Sequence, residues 1–128
     1  MDLIAIALLF LKAVESGDIE AAMAHCKPTA EFAFLPSLGG PQPMASGLDM
    51  LKNQIFTAFD EDGLTLTVTR TLSSQDFVVV EFTGTATLKT GKPYTNFYSM
   101  NIAFEGDKIQ WARPFTDTLL LNNVMSEQ

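Results

Sequence analysis

The sequence predicts an α+β fold in which helices pack on one face of a curved β-sheet. Three observations indicate it: helical periodicity occupies the first half of the chain, four β-rich runs follow in the second half, and short turns separate those runs. Strands joined by short turns pair as antiparallel hairpins, and helices ahead of such a meander cover one face of the sheet. The chain has 128 residues, 47% of them hydrophobic and 18% charged, so a single compact domain is predicted over residues 1–128.

Two helices are predicted first. Residues 3–14 are rich in Ala, Leu and Ile, which favour helix, and Ser16-Gly17-Asp18 supplies a stop followed by a new cap. The second helix is expected to begin at the Asp18 cap and to continue until Lys27-Pro28, because the residue before a proline disfavours the helical conformation. The two helices are therefore expected to lie antiparallel.

A strand, a loop and a third helix are predicted next. Thr29 to Leu35 is rich in Phe and predicts a strand, whereas Pro36 to Ser46 contains three Pro and two Gly and predicts a loop. Apolar residues at helical spacing then predict an amphipathic helix from Gly47 to Phe59. The residues that show this spacing are Leu48, Leu51, Ile55 and Phe59.

The remaining chain predicts four consecutive strands. The first starts near Leu64, and the others are predicted over Phe77–Leu88, Tyr94–Phe104 and Ile109–Asp117. The turns between them contain Gly, Pro, Asp and Ser and are short enough for antiparallel pairing of neighbours in the chain.

The charge of the chain argues against two classes of partner. Eight Lys and Arg against fifteen Asp and Glu give a net charge of −7, which repels phosphate backbones and anionic membrane surfaces. The longest apolar run, residues 3–11, is too short to cross a bilayer and lacks the flanking positive charge of a secretory signal. We therefore expect no nucleic-acid or membrane partner and a cytoplasmic location.

Neither a metal site nor a cofactor site is predicted. The chain has one cysteine, Cys26, and one histidine, His25, and its carboxylates show no metal-ligand spacing. Gly39-Gly40 lacks the lysine of a phosphate-binding loop and the glycine spacing of a dinucleotide fingerprint. We expect a protein that works without a cofactor.

Five short motifs are distributed along nearly the whole chain. They are Ser16-Gly17-Asp18-Ile19-Glu20-Ala21, Gly47-Leu48-Asp49-Met50-Leu51, Gly91-x-x-Tyr94-x-Asn96-x-Tyr98, Asp107-Lys108-Ile109 and Phe115-Thr116-Asp117. In this order and spacing they make the chain resemble the SnoaL-like branch of the nuclear transport factor 2-like superfamily. This superfamily shares the cystatin-like α+β cone and includes polyketide cyclases, ketosteroid isomerases and limonene-epoxide hydrolases, so the resemblance specifies fold more closely than function.

The resemblance implies a cone-shaped, antiparallel or mixed sheet wrapped around three helices, with an internal pocket above the concave face. It also implies a homodimer formed through the convex face. The final strand of the family carries a Tyr-x-Asp ending whose Asp points into the pocket. Here those positions hold Phe115 and Asp117, so the acid is kept while the phenol is lost.

Asp117 is the first candidate for chemistry. A period of two places Asp117 on one strand face with Ile109, Trp111, Arg113 and Phe115, so an inward Asp117 would bring the others into the pocket wall. Burial among aromatic rings raises a carboxyl pKa toward the range of a general acid or base. The alternative role is a structural one, an ion pair with Arg113 or an N-cap for the last helix.

The preceding strand supplies the second set of candidates. Tyr94, Asn96 and Tyr98 share a face, and their phenol and amide groups are suited to hydrogen-bond a carbonyl or enolate oxygen. Both faces of this strand mix polar and apolar residues, so the alternation leaves the inward face open. The alternative is that the tyrosines only pack, with their hydroxyls satisfied.

Three further residues are candidates for the pocket wall. Phe32 and Phe34 stand where limonene-epoxide hydrolases place a Tyr and an Asn that hold water, and the strand at Val78–Leu88 lacks their Arg-x-Asp pair. Epoxide hydrolysis of that type is therefore disfavoured. His25 has an unperturbed pKa near neutrality and could reach the pocket mouth, although a helix-end cation is its simpler role.

The residues and the resemblance together give two main hypotheses, beside a lyase or hydrolase that would use Asp117 with His25. The first is a cofactor-free cyclase or isomerase in which Asp117 moves a proton on a hydrophobic, carbonyl-bearing, polyketide- or steroid-like substrate. In it, Tyr94, Asn96 and Tyr98 stabilise the oxyanion, and Phe32, Phe34, Trp111, Arg113, Phe115 and His25 bind the substrate. The second is a non-catalytic domain that binds a small apolar ligand or serves as a dimeric scaffold.

Overall fold

The computed structural model describes residues 2–126 and has the predicted α+β architecture. Within these residues the chain forms four α-helices and six strands. They are α1 Leu3–Ser16, α2 Ile19–Met23, β1 Cys26–Ala33, β2 Pro41–Pro43, α3 Met44–Met50, β3 Thr65–Ser74, β4 Phe77–Thr87, β5 Pro93–Glu105, β6 Lys108–Thr116 and α4 Thr118–Ser126.

The six strands form one curved, unclosed mixed sheet. Their order is β2-β1-β6-β5-β4-β3, so the last four strands form the predicted meander. Every neighbouring pair is antiparallel except β1 and β6, which run parallel and place the N-terminal strand beside the C-terminal one. The N-terminal helices pack on the concave face, and the sheet is therefore solvent-exposed mainly on its convex face.

The first two helices begin and end near their predicted caps, with one exception. Asp2 and Asp18 accept hydrogen bonds from the N–H groups of Ala5 and Ala21, and Gly17 adopts a left-handed conformation with φ +72°. The prediction that the second helix continues to Lys27-Pro28 was wrong, because α2 ends at Met23. Pairing of Cys26 with Ile109 in β6 draws the chain into the sheet two residues before Pro28.

The third helical segment starts earlier than predicted and is irregular. It begins at Met44, and β2 lies within the predicted loop. After Met50 the helix widens into a π-helical turn over Leu51–Ile55 and then tightens into a 3₁₀ turn over Phe56–Ala58. Gly47 allows α3 to approach β1, because a Cβ at this position would lie 2.6 Å from the Cβ of Phe32.

The hydrophobic core consists of two adjoining clusters on the concave side of the sheet. The larger one joins α1 and α3 to the sheet, with Phe10, Phe32 and Ile102 fully buried. The smaller one surrounds Tyr94 and includes Leu121 and Val124 of α4. No helix within residues 2–126 is long and apolar enough to span a bilayer.

Candidate functional site

A cavity lies on the concave side of the sheet, where the two core clusters meet. The cavity volume is about 70 Å³. Its walls come from α1, β1, the segment that follows α3, the inner face of the sheet and α4. The lining residues are Leu11, Val14, Phe32, Phe34, Leu38, Leu51, Ile55, Phe56, Phe59, Leu64, Leu66, Phe82, Tyr98, Met100, Pro114, Thr116 and Leu121.

The polar part of this wall is one corner formed by Tyr98 and Thr116. The two residues are paired across β5 and β6, and the Thr116 hydroxyl donates to the carbonyl of Phe97 at 2.9 Å. The remaining lining side chains are apolar, so a ligand in this cavity meets a hydrophobic surface with a single hydrogen-bonding position.

Tyr98 is the outer member of a chain of hydrogen bonds that continues into the protein. Its hydroxyl lies 2.6 Å from the hydroxyl of Tyr94. The Asn96 amide donates to the Tyr94 hydroxyl at 3.0 Å and to the carbonyl of Asp117 at 3.2 Å. The structure therefore brings Tyr94, Asn96 and Tyr98 together, and of the three only Tyr98 lines the cavity.

The inward face of β5, which the sequence left open, is the face that carries these residues. Tyr94 and Asn96 are 2% and 1% exposed, whereas Phe97 between Asn96 and Tyr98 is 72% exposed. Tyr98 stacks on Phe82, with ring centroids 5.0 Å apart and an interplanar angle of 9°. The tyrosines therefore pack in the core and also carry a hydrogen-bond network.

Burial keeps both phenols protonated. Desolvation raises the pKa of Tyr94 above its usual value, even though its hydrogen bonds with Tyr98 and Asn96 lower it. Desolvation raises the pKa of Tyr98 further, and the Tyr94 phenol beside it adds to the effect. Since the folded state holds these protons, the network offers hydroxyl hydrogens throughout the neutral and mildly alkaline range.

Asp117 lies at the end of β6, as predicted, but its carboxylate is outside the cavity lining. The side chain is exposed and accepts a hydrogen bond from the N–H of Leu120 at 3.1 Å. This is the N-cap of α4, the alternative role that the sequence suggested. The negative charge of Asp117 still acts on Tyr94, whose pKa it raises slightly.

The prediction that Trp111, Arg113 and Phe115 share a face with Ile109 was wrong. Ala103 pairs with Trp111 while Phe104 pairs with Ile109, so Gln110 is an extra residue that forms a bulge. One extra residue moves the following side chains to the opposite face. Ile109 is therefore buried inside, and the other three side chains lie on the outer face of the sheet.

Those three residues make structural contacts on the outer face. The Arg113 guanidinium lies 5.2 Å from the Trp111 ring centroid and donates from Nε to the carbonyl of Ala33 at 3.1 Å. Trp111 packs edge-on against Phe77, and Phe115 is 43% exposed. They do not contribute to the cavity wall.

Phe32 and Phe34 line the cavity, as the sequence analysis proposed. Their rings stack with centroids 4.3 Å apart and give the β1 side of the cavity a flat aromatic wall. His25 does not line the cavity. It lies at the junction of α2 and β1, where its carbonyl accepts the N–H of Ile109 at 2.9 Å.

Sequence reasoning missed several parts of the site. Thr116 was assigned to a motif but not to the cavity, because the bulge at Gln110 reverses the faces of β6. Leu121 was missed because the last helix was predicted only through its N-cap at Asp117. The Leu51, Ile55 and Phe59 periodicity was the signal for the segment after α3, and those residues do line the cavity.

Two other chemical possibilities find little support in the described part of the chain. Burial raises the pKa of the Cys26 thiol to about 12, more than the nearby Lys108 lowers it, so this cysteine is a poor nucleophile. Within residues 2–126 no group of three or more His, Cys, Asp or Glu side chains is placed to hold a metal ion.

The comparison with protein families agrees with this architecture. The sequence model of the SnoaL-like domain matches residues 7–112, which is most of the chain. The chain belongs to the SnoaL-like domain family. A search of curated proteins finds no match for this SnoaL-like chain.

Solved structures share the fold over almost the full length of this SnoaL-like protein. TerC, crystallised with polyporic acid, has a TM-score of 0.82 at 19% identity, covering 97% of this chain and 98% of TerC. IdmH of Streptomyces antibioticus, described as a candidate polyketide cyclase, has a TM-score of 0.81 at 17% identity, covering 98% and 99%. A nuclear transport factor 2-like protein of Burkholderia pseudomallei has a TM-score of 0.82 at 17% identity, covering 98% and 99%. At these identities the likeness establishes the fold.

Proposed function

We propose that this SnoaL-like protein binds a neutral, hydrophobic, carbonyl-bearing small molecule and catalyses a cofactor-free isomerisation or cyclisation on it. The observation that carries the proposal is the apolar cavity with one hydroxyl corner, Tyr98 and Thr116. A charged ligand would lose its hydration without gaining a counter-charge from this wall, whereas a carbonyl group needs one donor. Polyketide-like ring ketones meet these chemical requirements.

In this proposal Tyr98 is the group that stabilises the developing negative charge. When a hydrogen leaves the carbon beside a carbonyl, the electron pair moves to the carbonyl oxygen, and a donor aimed at that oxygen lowers the barrier. Loss of one such donor typically costs about 10²–10³ in rate. Tyr94 and Asn96 support Tyr98 from behind, through the bonds at 2.6 and 3.0 Å.

Asp117 is the proposed proton acceptor. Its carboxylate would take the hydrogen as a proton and return it to another atom of the ligand, so no external oxidant or reductant is consumed. To reach the cavity the carboxylate has to leave the N–H of Leu120, which it holds at 3.1 Å. The proposal therefore includes opening of the first turn of α4.

A second candidate function is ligand binding without turnover. The lining residues include neither a carboxylate nor an imidazole, and this observation favours a binding protein as the alternative. The two candidates share the same ligand class and differ in whether a proton is moved.

The experiment uses 1-indanone, a small ring ketone with exchangeable hydrogens beside its carbonyl. In D₂O, replacement of these hydrogens by deuterium is followed by NMR with the wild type, Tyr98→Phe and Asp117→Asn. Asparagine keeps a capping side chain, so Asp117→Asn removes the charge without removing the cap.

The proposal predicts exchange above the background rate, a loss of about 10²-fold in Tyr98→Phe and a comparable loss in Asp117→Asn. Binding without exchange would support the second candidate. Failure of 1-indanone and of larger ring ketones to bind the wild type would contradict both.

We also propose a homodimer formed through the outer face of the sheet. Large apolar side chains are exposed there, with Leu72 at 55%, Phe97 at 72% and Phe115 at 43%. An exposed apolar patch rimmed by polar residues is typical of a protein interface.

A further inference from the structure

The side chain of Asn96 is polar and buried, and backbone groups fix the orientation of its amide. Within residues 2–126 it is the polar residue placed in the buried class, at 1% exposure. The N–H of Phe97 can only donate, and it bonds the Asn96 Oδ1 at 2.8 Å. The carbonyl of Asp117 can only accept, and it receives the Asn96 Nδ2 at 3.2 Å. The two amide atoms therefore cannot exchange places.

Because the Asn96 amide is fixed, it also determines the direction in which the Tyr94 hydroxyl donates its hydrogen. The second hydrogen of Asn96 Nδ2 goes to the Tyr94 oxygen at 3.0 Å, so Tyr94 is an acceptor on this side. Tyr94 otherwise packs in a cluster with Phe59 and Leu88. Within that apolar cluster the acceptor for the Tyr94 hydrogen is the Tyr98 oxygen at 2.6 Å.

At the other end of this chain of hydrogen bonds, a backbone carbonyl fixes the direction of the Thr116 hydroxyl. The Thr116 hydroxyl must donate to the carbonyl of Phe97, since a carbonyl has no hydrogen to give. Thr116 is paired with Tyr98 across β5 and β6, so its oxygen can then only accept from the Tyr98 hydroxyl. The hydrogens run in one direction, from Asn96 to Tyr94, to Tyr98, to Thr116, and end on the Phe97 carbonyl.

We propose that Asn96 is a positioning residue that sets the direction of this chain and so makes Tyr98 a hydrogen-bond donor to the cavity. A ligand carbonyl beside Tyr98 competes with the Thr116 oxygen for the Tyr98 hydrogen, and the cavity selects ligands that carry an acceptor at this corner. This inference rests on the proposed ligand class and does not require turnover.

The substitution Asn96→Asp tests the proposed direction of hydrogen-bond donation. An ionised carboxylate can only accept, so at a pH at which residue 96 is ionised Tyr94 gives its hydrogen to residue 96 and accepts from Tyr98 instead. Tyr98 then has no hydrogen left for the cavity. The effect on Tyr98 passes through Tyr94 and would not follow from a merely structural role of Asn96.

The first measurement needs no ligand. The chain contains two tyrosines, Tyr94 and Tyr98, so tyrosine labelled with ¹³C at the ring carbon that bears the hydroxyl gives two NMR signals, assigned with Tyr94→Phe and Tyr98→Phe. This carbon moves downfield as its hydroxyl donates more strongly. We expect both signals to move in Asn96→Asp, whereas movement of the Tyr94 signal alone would overturn the proposal.

Thr116→Val provides a second variant at the other end, should Asn96→Asp fail to fold. The proposed direction predicts an upfield shift of the Tyr98 signal, because Tyr98 loses its acceptor, and little change for Tyr94. If Tyr98 instead donated to Tyr94, neither signal would move, and the proposal would be wrong.

The ligand measurement compares 1-indanone with indane, which has the same ring system without the carbonyl. We expect the affinity ratio of 1-indanone to indane to fall about tenfold in Asn96→Asp, the effect of one lost hydrogen bond. An unchanged ratio in the folded variant would count against the proposal. If the wild type binds neither compound, the proposed function fails, while the NMR signals of the ligand-free protein still decide the direction of the chain.

Discussion

At the scale of single residues, the hydroxyl corner formed by Tyr98 and Thr116 depends on a glycine, Gly84. Gly84 lies in β4 opposite Asn96, and a Cβ there would come 2.8 Å from the Cε1 of Tyr98 and 3.3 Å from the Cδ1 of Leu64. Contacts below 3.0 Å require a neighbour to move. Tyr98 is held between Phe82 and the Tyr94 hydroxyl, so a methyl group at position 84 would displace a ring that has little room.

We therefore expect Gly84→Ala to weaken the binding of 1-indanone by about tenfold or more, because the Tyr98 hydroxyl moves away from the carbonyl. Titration calorimetry measures the affinity, and the ¹³C signal of Tyr98 reports the displacement. The matched control is Thr85→Ala at the next, exposed position of β4. Equal affinities in Gly84→Ala and the wild type would show that the placement of Tyr98 does not depend on this glycine.

At the scale of secondary-structure elements, the order of helices and strands could be predicted from the sequence because periodicity and turn residues are local signals. The same signals grouped Tyr94, Asn96 and Tyr98 correctly on one face of β5. Which face points inward depends on the helices that pack against it, and this information is not local to the strand.

The faces of β6 could not be predicted, for a different reason. The bulge at Gln110 arises from pairing with β5, where Phe104 faces Ile109 and Ala103 faces Trp111. A strict period of two carries no sign of an extra residue, so it placed Trp111 on the wrong side of the sheet and left Thr116 out of the site. A single unpaired residue thus separated the predicted site from the observed one.

The segment after α3 shows a similar limit. Its apolar spacing predicted one regular helix, but the chain instead forms a π-helical turn over Leu51–Ile55 and a 3₁₀ turn over Phe56–Ala58. Turns of this kind occur often at functional sites. The irregular turns place Leu51, Ile55 and Phe56 along the cavity, which makes this segment the part of the wall to adjust for a larger ligand.

At the scale of the whole molecule, the distribution of charge supports the proposed dimer. The chain carries a net charge of −7, yet the outer face of the sheet is balanced. Both arginines lie there, with Arg70 bonded to Glu81 at 3.1 and 3.2 Å and Arg113 stacked over Trp111. Two copies can approach through this face with little repulsion, whereas the acidic remainder of the surface repels.

We expect the wild type to sediment as a dimer and Phe97→Glu to sediment as a monomer, since each interface would gain two desolvated charges. Leu119→Glu is the control, because Leu119 in α4 is 71% exposed, nearly as much as Phe97 at 72%, but lies away from the sheet face. Analytical ultracentrifugation distinguishes the two states. A monomeric wild type, or a dimer that survives Phe97→Glu, would contradict an interface at this face.

The hydrogen bond proposed from Tyr98 to a ligand carbonyl inside the apolar cavity can be observed on the ligand itself. 1-Indanone labelled with ¹³C at its carbonyl is bound to the wild type and to Tyr98→Phe, and the carbonyl signal of the bound ligand is recorded. A donated hydrogen bond withdraws electrons from the carbonyl carbon. We predict a downfield shift in the wild type relative to an apolar solvent and its loss in Tyr98→Phe. The same shift in both proteins would contradict the claim.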